Sequence, residues 1–348
     1  METTTLTRRS ATAALLLTAV ILATSGRPSP AAAARGRHTA DASYNWPVKP
    51  FEQPHPVRGG FGDPRTIFAG PPTQRTLLAG AGDFQFHDGV DISAPDGTAV
   101  YPVESGTVTA VMKDWIVVGS SDGRSFEYRH ITPQVSVGQQ VAAQGTVLGR
   151  ILRQSGHVHL TELDNGSPVN PLAPGRLGPY TDTSVPVVSS IGFRKTVTGS
   201  DLMPELLRGR VEIVVGACDT PSMAVPGTWH GLPVTPALIE WRIQRADTGR
   251  VVVPTRVAYD VRDHLPALAN FWRVYARGTH QNMSVFGRHY SFLQPGVYLF
   301  RLAPGGFDTR TLHEKVYELV VTATDIRGNH SSAVQRFSVH NKPGVVGT

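Results

Sequence analysis

Apolar residues in the first half of the chain come in short bursts: "TAVYPV", "GTVTAVM", "WIVVGSS", "SFEYRHI", "QQVAAQGTVLGRIL" and "HVHLTEL". Each burst is closed by Gly, Asp, Ser or Pro, and no amphipathic helical pattern interrupts them. Runs of this length with this punctuation predict an antiparallel β domain over residues 45–174. The stretch "NPLAPGRLGPYTDTSVP" that follows is rich in Pro and Gly, and residues 175–186 read as a linker.

Strand-like runs resume beyond it in "GRVEIVVGACD", "ALIEWRIQRADTGRVVV" and "GVYLFRLAP". "YELVVTATD" and "SAVQRFSV" flank the turn "IRGNHS", where Gly and Asn suit positive φ, so they predict a hairpin. The pattern predicts a β-sandwich of the immunoglobulin kind over residues 187–340, with a tail at 341–348. "RDHLPALANFWRVYARG" is expected to hold a short helix or a long insertion. The fold class is all-β throughout, in keeping with 27 prolines and 35 glycines.

The N-terminus adds a compartment. Arg8 and Arg9 precede the apolar run "SATAALLLTAVILAT", which is short for a bilayer, and "SPAAAAR" offers small residues for cleavage after Ala34. Residues 1–34 are expected to be a secretory signal peptide and 35–44 a lead-in. A secreted or cell-wall-associated protein with no stable membrane insertion follows. The single cysteine, Cys218, allows no intramolecular disulfide and reads as a small buried residue. The net charge of +6 fits an anionic partner, but the chain has no Lys/Arg run or aromatic-basic stripe, which argues against nucleic acid.

The chemistry lies in the first domain. "HVH" presents His157 and His159 on one face of a strand, with Val158 and Leu160 on the other. Two adjacent imidazoles suit a site where one binds a metal and the other handles a proton. His130 ends "FEYRH", and His87 and Asp91 flank a glycine in "HDGVD" that lets the chain turn so that both reach one point. Three mixed nitrogen and oxygen ligands with an open fourth position match catalytic zinc, whereas Mg²⁺ or Ca²⁺ would want more acids than are present. Each motif alone has an ordinary reading; His130 alone would be a hydrogen-bonded histidine at a strand end.

Together these motifs resemble the lysostaphin/LytM-type zinc peptidases. "FHDGVDISAPDGTAVYPVESGTV" is similar to that family's His-x-Gly-x-Asp block, and "YRHI" to its Tyr-x-His-Leu. "VSVGQQVAAQGTVLGRI" resembles its Gly-rich strand pair, "GHVHLTEL" its His-Leu-His-Phe-Glu, "NGSPVNPL" its Pro-Val-x-Pro tail and "RGGFGDPR" its Phe-Gly-x-Arg block. The resemblance covers residues 45–173. It implies one zinc per chain held by His87, Asp91 and His159, with His130 and His157 positioning or deprotonating the attacking water. It implies peptide stems or cross-bridges of peptidoglycan as substrate.

One departure stands out. The family has Glu two residues after the second His of His-x-His; here that position is Thr161, and the acid is Glu162, on the opposite face unless a bulge restores the alignment. The competing reading is a catalytically weak or inactive peptidoglycan-binding or activator protein of the same fold. A third takes the sandwich as a wall-binding module. Elsewhere, Asp325 and Asn329 read as an Asx turn without an acid cluster. His230, His264, His280 and His289 read as solvated. The tryptophans read as packing residues, and residues 65–85 as a loop able to cover the cleft.

Overall fold

The computed structural model describes residues 44–68, 82–284 and 293–341. The expected signal peptide, most of the lead-in, the middle of the 65–85 loop, His289 and nearly all of the tail lie outside the described residues. Strands dominate and all strand pairings are antiparallel, as the short apolar bursts predict.

In the first half, β1 (Val57–Gly59), β2 (Pro64–Phe68), β3 (Gly82–Phe86) and β4 (Val90–Ser93) lead into β5 (Ala99–Val100) and β6 (Gly106–Val111). Next come β7 (Trp115–Ser120), β8 (Arg124–Arg129), β9 (Ile131–Pro133) and β10 (Gln140–Val141). β11 (Gly149–Ile151), β12 (His157–Asp164) and β13 (Ser167–Val169) complete it. The main sheet runs β1-β4-β12-β8-β7-β6-β10, with β13 paired to β12; β5-β11-β9 form a second small sheet and β2-β3 a hairpin.

β12 is central and buried along six successive residues, His157 to Glu162. Its apolar face, Val158 and Leu160, joins Ile92, Ile116, Val118 and Tyr128 in the core. Its register decides the rest. His159 pairs with Asp91 on β4 and with Arg129 on β8, and Asp91 pairs with Gly59 on β1. Directly opposed residues on antiparallel strands point to the same face, so one row across the sheet carries Gly59, Asp91, His159 and Arg129.

In the second half, β14 (Val187–Lys195), β15 (Asp201–Leu202), β16 (Arg210–Cys218) and later strands β21 (Leu299–Arg301) and β22 (Phe307–Asp308) make one sheet. β17 (Leu238–Arg245), β18 (Val251–Asp260), β23 (Val316–Thr324) and β24 (His330–Ser338) make the other, and the short strands β19 (Met283–Ser284) and β20 (Leu293–Gln294) pair with each other. Phe193 of the first sheet packs against Phe337 of the second, with ring centroids 5.4 Å apart and the rings tilted by 51°, so the two sheets face each other as a sandwich. β23 and β24 form the expected hairpin. A 3-10 turn, Leu268–Asn270, runs into one α-helical turn, Phe271–Val274, in the segment expected to hold a short helix.

The described residues fall within one compact unit, Ala40–Thr348. Phe271 and Tyr275 pack on Phe86 with ring centroids 5.2 and 5.8 Å away, and the Tyr275 hydroxyl donates to the Gly62 carbonyl at 2.7 Å. Asp63 accepts the backbone N–H of Thr235 at 2.7 Å. Such contacts fasten the "RGGFGDPR" turn to the sandwich. Within 175–186, Leu177 and Asp182 are buried, and Asp182 accepts from the Ser222 hydroxyl at 2.6 Å.

Two expectations need correction. His280 is not solvated: it is 3% exposed, pinned by backbone pairing to Val297, and burial pushes its pKa down. Asp325 does sit in the expected turn, accepting from the N–H groups of Arg327 and Asn329 at 2.8 and 2.9 Å. It also belongs to an acid cluster: Asp182, Asp219 and Asp325 bring carboxylate oxygens within 4.8 Å of one another. Residues this far apart in sequence give no local sign of such a meeting. Cys218 is half-buried and free, and burial pushes its thiol up.

Candidate metal centre

Three donor atoms converge at one end of the Asp91–His159 row. Nε2 of His87 lies 2.8 Å from Nδ1 of His159, and Oδ1 of Asp91 lies 3.1 Å from each. A tetrahedral ion with bonds near 2.0 Å sets its ligand atoms about 3.3 Å apart, so the triangle is only slightly tight for one.

The far atom of each donor is held by another group. Nδ1 of His87 faces the Gly60 carbonyl at 2.8 Å. A carbonyl only accepts, so Nδ1 carries the proton and Nε2 a lone pair. Nε2 of His159 faces the Thr161 hydroxyl at 2.7 Å and the Asp88 carboxylate at 3.3 Å. With its proton there, His159 turns a second lone pair inward from Nδ1. Oδ2 of Asp91 accepts from Arg65 at 2.6 Å, leaving Oδ1 for the centre. Three electron pairs thus face one another in a buried space, an arrangement that repels itself unless a cation lies between them. The donor set, two imidazoles and one carboxylate, suits zinc. Outer hydrogen bonds of this kind fix the tautomer and orientation of metal ligands.

The electrostatics favour a neutral His87 and an ionised Asp91, whereas His159 without a cation holds a proton that a metal would displace. Burial, with help from Arg65, pulls His87 down to about 4 and keeps it neutral. Burial also lowers His159, but its hydrogen bonds to Asp88 and Asp91 outweigh that and leave it raised. Burial alone would raise Asp91; His87 and Arg65 overcome it and hold the carboxyl well below its usual range.

Two further imidazoles line the same space. The His157 ring centroid lies 4.6 Å from that of His130, and Nε2 of His157 lies 3.5 Å from Oδ1 of Asp91. His130 stands 6.3 Å from His159, ring to ring. Its φ of 62° is a left-handed conformation that histidine visits more than most residues; there it leaves β8 and turns toward the site. Burial lowers both rings, His157 to about 4.

Gly89 is required, but not for turning. Its φ is not positive; a Cβ there would meet the Leu160 carbonyl oxygen at 2.2 Å and Nε2 of His159 at 2.8 Å. It lets the His87–Asp91 loop lie flat on β12. The bulge that would realign Glu162 does not occur either: register with β8 runs unbroken from His159 to Asp164. Thr161 faces the site side, beside His159. Glu162 faces away, fully buried, and accepts from Tyr44 at 2.6 Å and from Arg124 and Arg176.

All five residues singled out in the sequence, His87, Asp91, His130, His157 and His159, therefore gather in one cleft. Sequence reasoning passed over Arg58, Arg65, Asp88 and Arg129. Arg129 pins Asp88 at 2.9 Å, and Asp88 in turn reaches His159. Asp88 was in plain view inside "HDGVD", and Arg65 inside "RGGFGDPR".

Residues 85–171 match the model of peptidase family M23. Solved structures with likeness to the chain include a zinc-containing peptidase from Vibrio cholerae, 25% identical over 37% of this chain and 39% of that one, with a TM-score of 0.29. Another is the M23 metalloprotease pseudoalterin from the deep sea, 21% identical over 40% and 80%, TM-score 0.26. A third is a chain of the SpoIIIAH–SpoIIQ complex, 21% identical over 37% and 97%, TM-score 0.29. Among the described residues no helix is long and apolar enough to cross a membrane.

Proposed function

We propose that this protein is an exported zinc metalloendopeptidase that hydrolyses peptide bonds in the stems or cross-bridges of bacterial peptidoglycan. The observation that carries the reading is the convergence of Nε2 of His87, Oδ1 of Asp91 and Nδ1 of His159, each backed by an outer partner. The match of residues 85–171 to peptidase family M23 supports the reaction class. The N-terminal basic and apolar pattern supports export.

In this reading His87, Asp91 and His159 hold one zinc ion. Bound zinc supplies an acidified water and polarises the scissile carbonyl. The remaining work falls to the chain itself. Arg65 keeps Asp91 oriented and ionised. His130 and His157, neutral and side by side, accept a proton from the attacking water and donate hydrogen bonds to the oxygen that gains charge.

The competing reading, a wall-binding or activator protein that does not hydrolyse, is favoured by one observation: Thr161 stands where an acid is expected. Against it, Asp88 brings a carboxylate to the same ring nitrogen from another strand junction. Turbidity loss of purified peptidoglycan, with and without a chelator, separates the two. Chelator-sensitive clearing that His159→Ala abolishes supports the peptidase. Wall binding without clearing, unaffected by chelator, supports the alternative.

A further inference from the structure

A groove of about 550 Å³ runs off the histidine cluster where β12 begins. One bank carries Pro56, Arg58, Pro95, Asp96 and Ser155; the other carries Trp229, from the 3-10 turn Gly227–Trp229 of the second half. The Arg58 guanidinium lies over the Trp229 indole, 4.2 Å from its centroid. Stacking of this kind holds the guanidinium plane while leaving its edge free for an anion.

That edge is short of acceptors. Nε of Arg58 is buried with no hydrogen-bond partner. Nη2 lies 2.5 Å from Nδ1 of His157, which also faces the Ser155 carbonyl at 2.7 Å. A single ring nitrogen cannot serve both. If it keeps its proton for Ser155, it meets Arg58 donor to donor; if it accepts from Arg58, it faces Ser155 lone pair to lone pair. Either way, at most one of five guanidinium N–H groups is satisfied there. The other arginines of the cleft are ion-paired, Arg65 to Asp91 and Arg129 to Asp88 and Glu127. Among the described residues no carboxylate makes an ion pair with Arg58. Asp96, on the same bank, accepts instead from the N–H groups of Gln154 and Gly156 at 2.6 and 2.8 Å.

A half-buried cation with empty donors is costly unless an anion completes it. We propose that Arg58, clamped on Trp229, is a specificity-determining subsite that binds a free carboxylate on the peptide beside the scissile bond. The ligand class is an acidic peptide, and the second half of the chain builds one wall of the site. This rests on the peptidase reading above.

The test uses soluble disaccharide-peptides released from peptidoglycan by a muramidase, either untreated or with their carboxylates converted to amides. The full chain should hydrolyse the untreated sample with kcat/KM about tenfold above the amidated one. Arg58→Gln should erase that preference, mainly through KM, Arg58→Lys should keep part of it, and Trp229→Ala should reduce it. Zinc content of each variant reports that the fold and metal centre survive. Equal hydrolysis of both samples by the parent, or a preference that Arg58→Gln leaves intact, overturns the subsite while leaving the peptidase reading standing. Hydrolysis of neither sample by the zinc-loaded parent removes the peptidase reading and this subsite with it.

Discussion

The hydroxyl oxygen of Thr161 lies 2.7 Å from Nε2 of His159, on the side of the ring turned away from the metal centre. The Asp88 carboxylate approaches the same nitrogen at 3.3 Å. The proton on Nε2 therefore has two acceptors, and neither is the glutamate that the resemblance led one to expect.

Loss of one acceptor should be tolerated better than loss of both. Thr161→Val keeps the shape and removes the hydroxyl; zinc affinity should fall about tenfold. Combined with Asp88→Asn, the loss should approach about a hundredfold. Competition against a chromophoric chelator measures it. Full affinity in the double variant would mean that neither group supports His159.

Glu162, the next residue, should behave oppositely. It is fully buried and joins Tyr44, Arg124 and Arg176 behind the sheet. Glu162→Ala removes the acceptor of the buried Tyr44 hydroxyl and one partner each of Arg124, which keeps Glu104 and Asp122, and Arg176, which keeps Asp263; it should cost roughly 1–3 kcal/mol in denaturant unfolding. Zinc affinity of the folded protein should stay within a fewfold of the parent. A large loss of zinc with unchanged stability would reverse the two roles.

Gly89→Ala should fail for steric reasons. The new methyl would sit 2.2 Å from the Leu160 carbonyl oxygen, and backbone on both sides must move to admit it. A loss of about 1–3 kcal/mol is expected, together with weakened zinc binding, because the same methyl would press on His159. A variant with parental zinc affinity and thermal midpoint would contradict that packing.

The cluster of Asp182, Asp219 and Asp325 gives a pH signature away from the cleft. Burial, with Asp182 adding to it, pushes Asp219 up to about 7. The folded state thus holds a proton that the unfolded chain releases near pH 4. Stability from this group is fully present below about pH 4 and is lost as pH rises through about 7. The ceiling is about 4 kcal/mol. Asp219→Asn should match the parent near pH 4 and exceed it increasingly up to about pH 7, with a constant gap above. Thermal midpoints across that range measure it; a gap that does not change with pH would show that Asp219 is ionised in the fold.

Much of this was legible in the chain. Strand lengths, turn residues and the His-x-His alternation gave the all-β class and the shared face of His157 and His159, because both depend on neighbours in sequence. The convergence of His87, Asp91 and His159 was readable only through the order of several motifs. Asp88 reaching His159, Trp229 covering Arg58 and the three-aspartate cluster were not readable. Each joins residues from distant elements, and the register and packing that bring them together leave no periodic trace. The role given to Gly89 changed for the same reason: the close approach of Leu160 is a tertiary fact.

The most direct measurement is the metal content of the full-length protein, purified without added metal chelators and dialysed against metal-free buffer. One zinc per chain is expected for the parent, and close to none for His159→Ala with the fold retained. A parent that holds no zinc, or a His159→Ala variant that keeps it, would contradict the centre built from His87, Asp91 and His159.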